Sequence, residues 1–252
     1  MAKANFLAGT LAALLLAGLP VAAQADETAD SDWSWRVAPM YLWAPSIKTD
    51  LKFDQPPVPS TSRFGDIISK VDIVLTGHAE TQNDHFGVLA DVSYLALSDE
   101  TSYGNGLGTE ASLDLTVFEL AGVWSPGDDR FSGFEAFAGL RYIKPKIDAK
   151  LETDSPSVPD ARLILDKAFS DFMVGARYTA KTSARTEVTL RADASLGETG
   201  GTENFSAMLR WNRTEKGAWV LGYRLMNVKL DTRGTGVKVT QYGPVVGYEM
   251  KF

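Results

Sequence analysis

From about residue 33 onward, hydrophobic and polar residues alternate along the chain with a period of two, the mark of strands whose faces meet different surroundings. In "TEVTLRADASLG", Val188, Leu190, Ala192, Ala194 and Leu196 share one face, and Glu187, Thr189, Arg191, Asp193 and Ser195 the other. Phe205, Ala207, Leu209 and Trp211 oppose Ser206, Met208, Arg210 and Asn212, and Phe172, Val174, Ala176 and Tyr178 oppose Asp171, Met173, Gly175, Arg177 and Thr179. The pattern predicts ten strands, over Trp33–Ile47, Val71–Gln82, Phe86–Leu97, Ala111–Ser125, Phe134–Ile147, Leu165–Lys181, Thr186–Gly197, Glu203–Asn212, Ala218–Asp231 and Val237–Phe252.

Long and short connections alternate between the first strands. Lys48–Lys70, Ser98–Glu110 and Asp148–Ile164 are long, whereas "NDH" (Asn83–His85), "PGDDRFSG" (Pro126–Gly133) and "TSAR" (Thr182–Arg185) are short. An up-and-down antiparallel barrel crossing a membrane has this asymmetry, with confined turns at the periplasmic end and elaborated loops outside. An even number of strands places both termini at the short-turn end. Ten strands fit the pattern, with eight or twelve as alternatives.

The two faces decide between a soluble barrel and a membrane barrel. The apolar face often carries only Ala or Gly between larger residues, which would pack a core poorly but is tolerated against lipid. The polar face carries Arg rather than Lys. It holds the acids Glu80, Asp91, Glu119, Glu135, Asp171, Asp193 and Glu249, and the bases Arg36, Arg141, Arg177, Arg191, Arg210, Arg224 and Lys251. Such a balanced set is expected where charges neutralise one another in a narrow lumen. His78, in phase with Glu80, belongs to the same lumen network. Aromatic residues gather toward the strand ends as two interfacial girdles: Trp33, Trp35, Phe86, Trp124, Phe134, Tyr178, Trp211, Trp219 and Phe252 at the short-turn end, and Trp43, Tyr94, Tyr142 and Tyr242 at the other.

The first 25 residues read as a secretory signal peptide, with Lys3, an apolar run from Phe6 to Leu19, and Ala23 and Ala25 around Gln24 before the cleavage point. Residues 26–32 then form a short periplasmic tail, and 33–252 the barrel. The 252 residues include no Cys, so neither disulfides nor a lipid-modified Cys is available. Cleavage removes Lys3 and makes the formal net charge of −7 more negative by one. An acidic chain without a Lys/Arg cluster argues against nucleic acid as a partner.

The last residues, "QYGPVVGYEMKF", place Tyr248, Met250 and Phe252 on one face, with Gly247 between them and the preceding residues. This ending resembles the C-terminal signal of bacterial outer-membrane barrels, which implies the barrel-assembly machinery and outer-membrane lipid as partners. "APMYLWAPSIKTDL", "FGDIISKVDIVLTGHAE" and "HFGVLADVSYLALSDE" resemble the N-terminal part of a poorly characterised group of proteobacterial outer-membrane β-barrel proteins. The resemblance implies the cell outer membrane as the compartment and no particular activity.

Candidate chemistry is sparse. His78 and His85 are the only histidines, so a zinc site with the usual His/Cys ligands is excluded and neither a metal nor a cofactor is expected. A His78–Glu80 pair reads as a structural lumen contact rather than a catalytic base. "STSRFGDIISKVD" predicts a short amphipathic helix over Ser62–Val71, capped by Ser62, that covers the rim or the lumen. The expected role is structural or interactive, with exposed loops, and no catalytic residues are assigned. A narrow channel for small solutes and an outer-membrane hydrolase, either protease or lipid A-modifying, are the alternatives. The leader predicts that Edman degradation or intact mass of the exported protein gives a chain starting at Asp26; an intact N-terminus would contradict it.

Overall fold

The computed structural model describes residues 33–52, 58–62, 71–103, 107–153, 161–232 and 235–252. The regular elements among them are strands: β1 (Ser34–Ala38), β2 (Tyr41–Trp43), β3 (Ser46–Lys52), β4 (Val58–Ser62), β5 (Val71–Gln82), β6 (Phe86–Tyr103), β7 (Leu107–Trp124), β8 (Gly133–Thr153), β9 (Ala161–Asp166), β10 (Phe169–Ser183), β11 (Thr186–Gly197), β12 (Thr202–Thr214), β13 (Gly217–Thr232) and β14 (Thr235–Lys251). Each wall pairs antiparallel with its neighbour in sequence, and β14 returns to β1, β2 and β3. The result is a closed barrel of ten walls. The first wall is assembled from β1, β2 and β3, the sixth from β9 and β10, and β4 folds back on β3. The seam is tied at its end by reciprocal bonds of 3.0 Å between the backbones of Trp35 and Phe252.

Burial alternates along the walls as the polar and apolar faces predict. In β10, Phe169, Asp171 and Met173 are buried while Ser170, Phe172 and Val174 are exposed. The outward face carries Trp35, Trp124, Phe134, Tyr178, Trp211 and Trp219 near the short-turn end, with Phe118, Leu120, Leu140, Phe172, Phe205 and Leu221 above them, all exposed. An outer surface this apolar is stable facing acyl chains, and closure leaves no wall edge unpaired in the hydrocarbon. The barrel is a transmembrane one.

Three expectations are corrected. First, Ser98–Glu110 and Asp148–Ile164 are largely strand rather than loop. β6 and β7 stay paired from Phe86↔Trp124 to Tyr103↔Leu107, and β8 runs for 21 residues. A membrane needs only about 9–11 residues per strand. Backbone pairing continues past that length through sequence rich in acids, Gly, Ser and Pro that otherwise marks a loop. Second, the first wall is interrupted at Pro39–Met40 and Ala44–Pro45. The first break shifts the phase by one: Arg36 and Ala38 face inward, Met40 and Leu42 are exposed, and Trp43 is buried. Trp43 is therefore a lumen residue, not part of a girdle. Third, Ser62 and Val71 end and begin strands. The rest of the helix expected over Ser62–Val71 lies outside the described residues, as do the leader and the 26–32 tail.

Inside, the barrel is packed in layers. Leu89, Ala121, Val123, Phe137 and Met173 fill one side of the interior. Toward the extended end, Trp43, Val117, Ile143, Phe169, Met226, Val228, Leu230 and Val245 form an apolar layer, with Ile47 and Leu95 as a further cluster. Gly175 makes room for this packing because it stands opposite Phe137 on β8 and Asp193 on β11. A Cβ there would collide with the Phe137 ring and come within 2.5 Å of Asp193 Cβ. Gly175→Val is accordingly expected to destabilise the barrel by about 1–3 kcal/mol through overpacking. Gly122→Val, whose Cβ meets only Ala138 O at 3.9 Å, should change little. Denaturant unfolding in lipid vesicles checks both.

Candidate functional site

The site is the charged interior, and strand pairing assembles it. Neighbouring walls bring inward residues side by side: Arg36 beside Glu80 and Lys251, His78 beside Asp91, Asp91 beside Glu119, Glu119 beside Arg141, and Glu187 beside Arg210. Some of these neighbours carry like charge, as do Arg177 and Arg191. They are tolerated because counter-ions from more distant walls fill the space between them.

Nearest the extended end, the network is centred on Arg141, which has no solvent exposure. Its Nε donates to Glu119 at 3.0 Å, its Nη2 to Asp193 at 2.5 Å and its Nη1 to Thr202 at 2.5 Å. Arg191 bridges three acids, Asp91 at 3.2 Å, Glu119 at 2.7 Å and Asp193 at 2.8 Å. Arg224 donates to Glu119 at 3.2 Å and to Asn204 at 2.8 Å, with its guanidinium 4.9 Å over the Trp43 ring. One carboxylate thus binds three guanidiniums, contributed by β8, β11 and β13.

Midway, Arg177 grips two carboxylates. Its Nη1 donates to Glu80 Oε2 at 2.8 Å and its Nε to Glu135 Oε2 at 2.6 Å. The Gln82 amide donates to Glu80 at 2.7 Å and also to Glu135. His78 Nδ1 lies 2.8 Å from Asp91 Oδ1, and its Nε2 3.5 Å from Glu80 Oε2. At the short-turn end, Arg210 holds Glu249 through Nε and Nη2, both at 2.9 Å. Glu187 accepts from Arg36 at 3.2 Å and from Asn212 at 3.1 Å, with Lys251 Nζ 3.7 Å away.

Of the fifteen lumen residues named from sequence, ten are joined in the cluster of Arg141, Arg191 and Arg177, and Arg36, Arg210, Glu249 and Lys251 gather in a second around Glu187. Asp171 pairs with no arginine among the described residues: it is buried, accepts from the Thr199 hydroxyl at 2.5 Å, from the Thr199 backbone N–H at 3.0 Å and from Ser195 at 2.8 Å, and reaches Arg141 only through the Ser195–Thr202 hydroxyl pair. Of the C-terminal residues, Gly247 faces inward against Tyr41, Tyr248 packs edge-on against Trp219 with centroids 5.3 Å apart, Met250 pairs with Val37 and Gly217, and Phe252 is exposed at the seam. Glu187, Gln82 and Asn204 were not named as site residues. Glu187 is in phase with Arg191 and Asp193, so the face rule alone could have recruited it. Uncharged Gln82 and Asn204 carry no comparable signal.

The turn between β7 and β8, a short connection by its sequence, is folded into the barrel's end. Phe131 is buried at φ 55, with the Arg36 guanidinium 4.4 Å above its ring and its N–H donating to Gln82 Oε1 at 2.7 Å. Arg130 reaches Ser34 Oγ at 2.9 Å and Asp84 at 3.0 Å, while Lys181 holds Asp129 at 3.1 Å. The turn is therefore fastened to β1, to the β5–β6 turn and to β10, and it lies across the short-turn mouth. Among the described residues no cluster of His, Asp and Glu has the arrangement of a metal site.

No protein-family model matches this chain, and no curated protein sequence does. Solved structures similar to it include Ail, the attachment invasion locus protein of Yersinia pestis, at 13% identity over 87% of this chain and 97% of that one, with a TM-score of 0.37. The outer membrane protease OmpT of Escherichia coli aligns at 7% identity over 89% and 98% of the two chains, with a TM-score of 0.48. Neisserial surface protein A aligns at 8% identity over 88% and 98%, with a TM-score of 0.32.

Arg141 supplies the sharpest test of the network. Arg141→Met removes one of the three guanidiniums on Glu119 and one of the two on Asp193, and breaking these buried pairs should cost about 3–5 kcal/mol. Adding Glu119→Gln and Asp193→Asn should not restore it, because Arg224 then loses its carboxylate and Arg191 two of its three. Equilibrium unfolding of the single and triple variants in vesicles measures it; an Arg141→Met protein as stable as the wild type would contradict the assignment.

Proposed function

We propose that this chain is an outer-membrane protein with a closed lumen, whose role is structural or interactive rather than that of a pore or an enzyme. The observation that carries the reading is the interior itself. Arg141, Glu119 and Asp193 join the walls across the barrel, apolar layers cover them toward the extended end, and the Phe131 turn covers the opposite mouth. A salt-bridged, hydrogen-bonded plug of this kind opposes the passage of solutes, since any ion entering must displace counter-ions already in place. What remains accessible outside is the continuation of β6, β7 and β8 beyond the lipid. These paired strands give the protein a stiff surface for contact.

His78 does not favour a hydrolase. It is enclosed among Asp91, Glu80 and the arginines, away from the rim where a macromolecular substrate could reach it. The narrow-channel alternative would require this network to rearrange.

Planar-bilayer recordings of the purified protein are expected to show low or no conductance. A stable open state of large conductance, lost on adding bulk at Gly175 or Gly247, would overturn the proposal. Cleavage of peptides or lipid A esters that disappears in His78→Ala would overturn its non-enzymatic part.

A further inference from the structure

At the extended end the walls differ in height. β11 turns into β12 through residues 198–201, and the Glu198 N–H donates to the Ser170 carbonyl at 3.2 Å where β11 leaves the sixth wall. The sixth wall goes on past that point. β9 stays paired with β8 from Lys146↔Asp166 to Leu151↔Ala161, while its other edge has no strand partner among the described residues. Across the β11–β12 turn, β13 also continues beyond its last pair with β12, Thr202↔Val228. Lys229 bonds the turn at Gly200 and Gly201, and residues 230–232 have no strand partner on that edge among the described residues. The outline is a step two strands wide, bridged from β9 to β13 by three strand spacings of about 4.8 Å.

The step lies outside the lipid. From Tyr178 to Ser170, the outward face of β10 already supplies the length of about 9–11 residues that crosses a membrane, and β9 lies beyond it. Bare strand edges are ordinarily blunted by Lys, Pro or a bulge. β9, with the sequence ARLILD and an unbroken register, has none of these. Its Leu165 packs on the apolar layer of the lumen and so fixes the strand, whereas Ile164, facing outward, is 60% exposed. Alternate residues of such a strand point their N–H and C=O groups away from β8, and another extended backbone is what matches that row.

We infer that this step is a docking site for a β-hairpin of a partner protein, one strand of which pairs with β9 while the other reaches β13. Strand direction agrees with this occupant. β9 runs toward the membrane and β13 away from it, so an antiparallel fill needs one strand rising beside β9 and one descending beside β13. A hairpin inserted tip first supplies both. A second copy of this chain does not fit, because two barrels in one membrane present β9 in the same direction and their edges would cross at about twice the strand tilt. The inference rests on the interactive role proposed above and names the kind of partner.

The test uses the full mature chain in lipid nanodiscs and, as the probe, a disulfide-closed hairpin peptide with Thr/Val strands. Amide hydrogen exchange read by NMR should be fast at alternate residues of β9 without the peptide. Adding the peptide should slow these amides by at least about tenfold and leave those of β10 unchanged. Ile164→Lys, a change on the exposed face, should abolish most of that protection, and Ile164→Val should keep it. The wild-type exchange data decide the matter even if Ile164→Lys does not fold. Slow exchange throughout β9 in the free protein, no slowing on adding the peptide, or equal protection in Ile164→Lys would each overturn the inference. So would equal protection by a linear peptide of one strand alone, or a dimer of this chain that Ile164→Lys dissociates. Conductance is read separately, so a closed barrel that ignores the hairpin refutes this inference alone, and an open one that binds it refutes only the closed lumen.

Discussion

Lipid offers no hydrogen bonds, and the rest of the structure follows from that constraint. A strand in the hydrocarbon must pair on both edges, so the sheet closes by bringing β14 back to β1, β2 and β3. Closure sends alternate side chains outward to acyl chains and inward to a small enclosed space. Polar residues along the walls have only that space to occupy. The inward groups must then satisfy one another.

They do so by interleaving. Charges adjacent on neighbouring walls are often alike, yet residues from opposite walls insert between them: Arg191 of β11 meets Asp91 of β6 and Glu119 of β7, and Arg177 of β10 meets Glu80 of β5. Such contacts join walls that share no backbone pairing. Buried ion pairs add little net stability, because desolvation offsets much of the attraction. Their effect is instead to penalise any register that leaves a charge unmatched. The network is thus better understood as fixing the mutual position of the walls than as stabilising them. On the proposed function the same charges close the lumen, which gives the barrel's organisation and its closure one physical origin.

Much of this was legible in the sequence. Alternation marks the ten walls and, wherever a wall is unbroken, the face each residue occupies, because lipid and lumen impose opposite polarity on successive side chains. Ser98–Tyr103 of β6 carries no such alternation and reads as loop, whereas Asp148–Thr153 of β8 does alternate and reads as loop only because a Pro- and Asp-rich stretch follows it. Trp43 was misplaced because the break at Pro39–Met40 inverts the alternation without leaving a hydrophobic signature. The charged residues could be gathered into one interior, but their pairing could not, since Arg141 with Asp193 or Arg177 with Glu80 depends on which walls face each other across the barrel. Phe131 was hidden for another reason: an aromatic residue in a Pro/Gly/Asp-rich turn gives no sign that the turn folds over the mouth.

The assignment of lipid face and lumen face can be read directly from tryptophan. Single-tryptophan variants in vesicles of brominated phospholipid report which rings touch acyl chains. Trp124, Trp211 and Trp219 should be strongly quenched, and Trp43, enclosed beside Arg224, should be protected. Strong quenching of Trp43 together with protection of the other three would contradict the arrangement of the barrel.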